Sequence, residues 1–104
     1  MAEKLPWPAK EVDVDFVVFV ERHATDLLRL DILTFWGKHP NFCGSVEEIA
    51  RQIGRSTQTI RPELGDLVLT GILEKQLAPH HQTRYSLCQN PDIRRMVNKL
   101  AESQ

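Results

Sequence analysis

The sequence predicts a mainly helical α+β domain. Its parts are a three-helix core in which two short helices meet at a glycine turn, a β-hairpin after them, and one additional helix at each end. Three observations carry that prediction. Two consecutive segments each show a hydroxyl residue, apolar residues at helical spacing, and then a glycine. The period then switches to alternation across a Pro-bearing polar break. A chain of 104 residues with 41% hydrophobic content suits one core of modest size, so residues 1–104 are expected to form a single domain.

Residues 1–10 hold Pro6 and Pro8 around Trp7, which predicts an extended arm with Trp7 packed on the body. In residues 11–23, "EVDVDFVVFVERH", Val12, Val14, Phe16, Val18 and Val20 alternate as in a strand, yet Val17 and Phe19 are apolar too. Helix is the preferred reading. Glu11, Asp13 and Asp15 suit a helix N-terminus, and Arg22 and His23 suit a C-terminus. Thr25 or Asp26 then opens a helix that is apolar nearly all round, with Trp36 in the core, and Gly37 is expected to end it with residues 38–40 closing it. These helices fill residues 11–44.

Residues 45–71 hold the paired helices. Ser45 can cap the first, Glu47 and Glu48 fall in its first turn, Val46, Ile49, Ala50 and Ile53 form its apolar stripe, and Gly54 stops it. Ser56 can cap the second, with Ile60, Leu64, Leu67 and Val68 as its stripe and Gly71 at its end. Pro62 lies inside this second helix, where it lacks a backbone donor and its ring opposes the carbonyl four residues earlier, so a kink or restart is expected there. Gly65 weakens the helix further.

Residues 72–88 read as a hairpin. Ile72, Leu73 and Leu77 surround Glu74, Lys75 and Gln76; Pro79, His80, His81 and Gln82 form the break; Thr83, Tyr85 and Leu87 alternate with Arg84 and Ser86. Asn90 then caps a last amphipathic helix over residues 90–102, with Pro91 at its first position and Ile93, Met96, Val97 and Leu100 at helical spacing.

The order of Gly54, Ser56, Thr59, Ile60, Leu64 and Leu67, followed by Gly71, Ile72 and Leu73 and then a basic hairpin, resembles small bacterial winged-helix transcription regulators. The resemblance covers about the central two-fifths of the chain and implies a winged helix-turn-helix, with the hairpin as the wing. It implies double-stranded DNA as a partner, with the second helix of the pair facing a major groove. Thr57, Gln58, Thr59 and Arg61 are the expected base contacts, Gln58 suiting adenine and Arg61 guanine. Arg51, Arg55, Lys75, His80, His81 and Arg84 are the expected phosphate contacts. A two-fold operator favours a homodimer, with Phe16, Val17, Phe19, Val20, Ile93, Met96, Val97 and Leu100 as candidate contacts. Pro62 departs from the polar or basic side chain usual at that position, which keeps open an alternative: a winged helix that docks a protein partner and binds no DNA.

Composition bounds the rest. A formal net charge of -1 excludes a protein that coats nucleic acid through bulk charge. Residues 1–44 carry five Lys/Arg against seven Asp/Glu, and residues 45–104 carry eight against seven, a small asymmetry, with Arg51, Arg55, Arg61 and Arg84 all on or near the paired helices and wing. The longest apolar stretch, about residues 16–20, is too short to cross a membrane, and a cytoplasmic protein is expected. Cys43, placed in a loop, and Cys88 are read as free thiols and small apolar fillers. No Gly-rich phosphate loop, HExxH or CxxC is present, and His39 with Cys43 stands apart from His80 and His81, so neither an enzyme nor a metal or cofactor site is expected.

Overall fold

The computed structural model describes residues 13–77 and 82–103. The expected arm with Trp7, the residues Glu11 and Val12, and the hairpin tip with Pro79, His80 and His81 lie outside the described residues. Among those described, the order is α1 (Val14–His23), α2 (Leu27–Lys38), β1 (Cys43–Gly44), α3 (Val46–Ile53), α4 (Thr57–Leu69), β2 (Leu73–Leu77), β3 (Thr83–Leu87) and α5 (Pro91–Glu102). The strands form one antiparallel sheet in the order β1-β3-β2.

The local signals act as their chemistry requires. Ser45 accepts from the Glu48 N–H while the Glu48 carboxylate accepts from the Ser45 N–H at 2.9 Å, a reciprocal cap that fixes where α3 begins. Gly54, at φ 73, lets the chain leave α3 with the Arg55 N–H bonded back to the Ala50 carbonyl at 3.0 Å. Gly71 does the same for α4 at φ 85, with Ile72 N–H on the Leu67 carbonyl and Gly71 N–H on that of Val68, both at 3.0 Å. Residues 13–23 are helical from Val14 onward, with Asp13 as the cap.

Three expectations need correction. The second helix does not end at Gly37 but continues through Lys38 with His39 as its cap. Gly37 is buried against α5, where a β-carbon would stand 2.5 Å from Ala101 Cβ and 2.6 Å from the Val97 carbonyl oxygen. It is a helix-crossing glycine, and α2 packs more extensively on α5 than on any other element. Nor does α4 restart at Pro62: it runs unbroken from Thr57 to Leu69, because Ile60, Leu64 and Leu67 are fully buried along one line and tertiary packing outweighs one lost backbone bond. Cys43, expected in a loop, begins β1 and pairs with Ser86, while Gly44 pairs with Tyr85.

The core is continuous and centred on α2. Ile32, Leu33 and Trp36 of α2 have no exposed surface, nor do Ile49, Ile60, Leu64, Leu67 and Val97 from three other helices. Trp36 meets Phe35 and Phe42 edge-on, and its ring N–H donates to the Phe42 carbonyl at 3.1 Å, so the one polar atom of the ring is satisfied. At the end of α1 the His23 ring lies 5.0 Å from that of Phe19, and burial, aided by Arg29 and Arg22, lowers its pKa from 6.5.

Asp13 closes α1 onto α5. One oxygen accepts from the Phe16 N–H at 3.1 Å; the other accepts from Lys99 at 3.0 Å and Arg95 at 3.2 Å. The Lys99 bond first, then the Phe16 N–H and Arg95, pull its pKa down from 3.8 to about 2.

Two predictions follow from these contacts. Gly65 has open space where a β-carbon would go, whereas Gly37 has none. In urea unfolding, Gly65→Ala is expected to stabilise the domain by about 0.5–1 kcal/mol, and Gly37→Ala, the same chemical change, to destabilise it by about 1–3 kcal/mol. Equal signs would mean the α2–α5 crossing is looser than described. For Asp13→Asn, which keeps the cap but loses the charge, the sign follows from a folded pKa below the unfolded one. Asp13 contributes stability that is present above pH 3.8 and lost as the pH falls toward 2. Melting curves should therefore show a lower midpoint for the variant at neutral pH and convergence with the parent between pH 4 and 2.

Candidate nucleic-acid interface

The first turn of α4 is built by its cap. Ser56 Oγ accepts from the Thr59 N–H at 3.1 Å, and the Ser56 and Thr59 hydroxyls lie 2.7 Å apart. Gln58, Thr59 and Arg61 are exposed, and Thr57 is half-buried. This end of α4 is thus a polar, outward-facing segment held by its own cap, while Ile60 on its far side anchors it in the core.

The lower half of α4 is fixed to α2 through Arg29. Its guanidinium, 13% exposed, lies 2.7 Å from Glu63 and 3.4 Å from Asp66, and its Nε donates to Glu63 at 2.8 Å. A guanidinium that binds two carboxylates one helical turn apart sets the rotation of α4 as well as its position.

His80 and His81 lie outside the described residues, and the four other expected phosphate-contacting residues fall into two groups. Arg51, on α3, and Lys75, on β2, are exposed, and among the described residues no carboxylate stands within ion-pair distance of either. The others are occupied. Arg55 pairs with Asp31 of α2 at 2.5 Å, and Arg84 donates to the Cys43 carbonyl at 2.7 Å with Glu48 at 3.7 Å. Arg61, expected to contact bases, has Glu47 at 4.0 Å. Sequence reading placed these arginines near one another but missed Asp31, Glu47 and Glu48 as their partners. No local spacing signals such pairs, since each joins two elements.

β2 is exposed beyond Leu73 and forms the outer edge of the sheet, so it projects from the body beside α4, which it also contacts. The hairpin strands keep a strict register from Leu73 opposite Leu87 to Leu77 opposite Thr83.

The expected dimer residues divide by burial. Phe19, Val97 and Leu100 lie in the core of the single chain, and Phe16, Val20, Ile93 and Met96 pack partly against it. Of the eight, Val17 is exposed; with Val14 and Val18 it makes an outward stripe on α1, 44%, 65% and 41% exposed respectively. A shallow concavity of about 360 Å³ between α2 and α3 is lined by residues including Asp31, Phe35, Lys38, His39 and Gln52. Among the described residues no cluster of three or more His, Cys, Asp or Glu could hold a metal ion, and no helix is long and apolar enough to cross a membrane.

No protein-family model and no curated protein matches the chain. Solved structures do. A predicted DNA-binding transcriptional regulator from E. coli superposes with a TM-score of 0.67 at 19% identity, over 88% of this chain and 92% of that one. The antimony-specific transcriptional repressor AntR gives 0.64 at 21%, over 99% and 100%. The homodimeric winged helix-turn-helix DNA-binding domain Mb0332 from Mycobacterium bovis, a possible ArsR-family transcriptional regulator, gives 0.64 at 22%, over 92% and 89%. With α3 and α4 joined at Gly54, β2 and β3 as the wing and α2 as the third core helix, the chain has the winged helix-turn-helix fold of these transcriptional regulators.

Proposed function

We propose that this domain is a sequence-selective, double-stranded-DNA-binding transcriptional regulator that acts as a homodimer. The observation that carries the reading is the exposed, polar first half of α4, presenting Gln58, Thr59 and Arg61 beside a projecting β-hairpin, in a fold whose solved neighbours are DNA-binding regulators. In this reading α4 enters a major groove. Gln58 offers a donor and an acceptor to adenine, Arg61 offers two parallel donors to guanine, and Thr57 and Thr59 add hydroxyls. Arg51, Arg55, Lys75, His80, His81 and Arg84 meet the phosphates on either side.

Lys75 is the cleaner probe of phosphate contact. Arg84 also ties β3 to the Cys43 carbonyl, so its removal loosens the sheet as well as the proposed contact. Homodimerisation is supported by the outward stripe of Val14, Val17 and Val18 on α1. A second copy is the natural cover for such a stripe in a protein that reads two half-sites.

Two measurements test the reading. Binding to mixed duplex DNA, titrated against salt, should fall steeply; Lys75→Ala should weaken every sequence alike and reduce the slope by about one unit, whereas Arg61→Ala should cost about 1–3 kcal/mol on preferred sequences and flatten the preference. A folded protein that binds no duplex at low salt would replace this reading with a protein-docking winged helix. In solution mass measurements, the Val17→Glu, Val18→Glu double variant should be monomeric under conditions where the parent is a dimer, and an unchanged mass would remove α1 from the interface.

A further inference from the structure

Arg55, Arg61 and Arg84 each have nearby a carboxylate from outside their own segment: Asp31 of α2 at 2.5 Å, and Glu47 and Glu48 of α3 at 4.0 and 3.7 Å. We propose that these acids are internal counter-ions that compete with DNA phosphates for the arginines, and so hold down the affinity of the domain for duplex of arbitrary sequence. The proposal rests on the DNA-binding reading above and adds to it residues that act against binding.

Glu47 is the informative member. Glu48 is needed to begin α3, since its carboxylate accepts from the Ser45 N–H. Glu47 has no such duty: among the described residues its one polar partner is Arg61, and its side chain is 63% exposed. The helix dipole favours an acid in the first turn, yet Glu48 already supplies one there. A carboxylate beside the cation expected to read bases has two effects on an approaching duplex. It must first give up Arg61, and an exposed pair of this kind is worth a factor of about five or less. Afterwards it remains near the phosphates, within a Debye length of about 8 Å at physiological salt, and repels them.

Asp31, from α2, acts in the same way on Arg55 of the α3–α4 turn, and its pair is the tighter one at 2.5 Å. With these pairs closed, Arg51 and Lys75 are the described phosphate candidates that bring an uncompensated charge to the surface. Duplex of arbitrary sequence offers phosphates alone and meets the whole of this cost. A preferred sequence meets the same cost but adds hydrogen bonds at base edges, from Gln58 and from Arg61 once it has left Glu47, that offset it, so it is bound at concentrations where other DNA is not.

The test is a set of binding isotherms on a labelled random-sequence duplex at low and physiological salt, with melting curves to verify that each variant is folded. The proteins are the parent, Glu47→Gln, Asp31→Asn, Arg61→Ala, the Glu47→Gln/Arg61→Ala double variant, and Glu21→Gln, which makes the same charge change at an exposed position of α1. Glu47→Gln and Asp31→Asn should each tighten binding by about three- to tenfold at low salt, Glu21→Gln by less than about twofold, and the gain from Glu47→Gln should shrink to below about twofold once Arg61 is absent. A gain from Glu47→Gln no larger than that from Glu21→Gln would overturn the proposal. So would an undiminished gain in the Arg61→Ala background, which would reduce Glu47 to a diffuse field. If no folded variant binds duplex at all, the DNA-binding reading itself fails, a result distinct from binding that is indifferent to Glu47.

Discussion

The placement of the helix pair depends on how closely α2 can approach α5. At Gly37 the two helices stand so near that even a methyl group would collide with Ala101 and the Val97 backbone. That contact fixes α2, and α2 in turn holds the remaining parts. Trp36 is tied by its ring N–H to the Phe42 carbonyl just before β1, Arg29 grips the lower half of α4, and Asp31 holds Arg55 at the turn between α3 and α4. A shift of α2 would be passed to α4 through Arg29, to the α3–α4 turn through Asp31 and to the approach to β1 through Trp36.

Much of this architecture was legible in the sequence because its signals are local. Ser45, Ser56 and Asn90 cap the helices they were expected to cap, Gly54 and Gly71 adopt the positive φ for which glycine is suited, and Leu73 to Leu87 pair as a hairpin. What was misread depended on distant residues. Gly37 looks like a terminating glycine from its neighbours, and only Ala101 on another helix reveals it as a point of close approach. β1 is two residues long, too short to show any period, and exists because β3 offers it a free edge. Pro62 carries a strong local signal for a break, but the buried line of Ile60, Leu64 and Leu67 keeps the helix whole.

The site was legible in part for the same reason. Which residues stand on the outer side of α4 follows from its apolar stripe, so Gln58, Thr59 and Arg61 were placed outward by period alone. Which acids answer the arginines was not legible, because Asp31, Glu47 and Glu48 reach their partners across element boundaries. The apolar excess of α1 was apparent, but its division was not. Phe19 turns into the core while Val14, Val17 and Val18 face outward, and only the docking of α1 on α5 through Asp13, Lys99 and Arg95 decides which side is which.

Pro62 then takes on a meaning other than the one its local chemistry suggested. Without an N–H, it cannot supply the donor that the Gln58 carbonyl would receive in an uninterrupted helix, yet the backbone around it stays helical. The exposed half of α4 therefore lies between two constraints. At its front Ser56 and Thr59 close the cap with bonds of 2.7 and 3.1 Å, and at its back the fixed φ of Pro62 restricts the chain where a backbone bond is missing. A segment so bounded loses little conformational entropy on contact with a partner, which matters for a domain whose net charge is -1 and whose arginines are largely paired. In the DNA-binding reading proposed above, selectivity then rests on the geometry of a few polar side chains, Gln58, Thr59 and Arg61, which the cap at Ser56 and the fixed φ of Pro62 bracket.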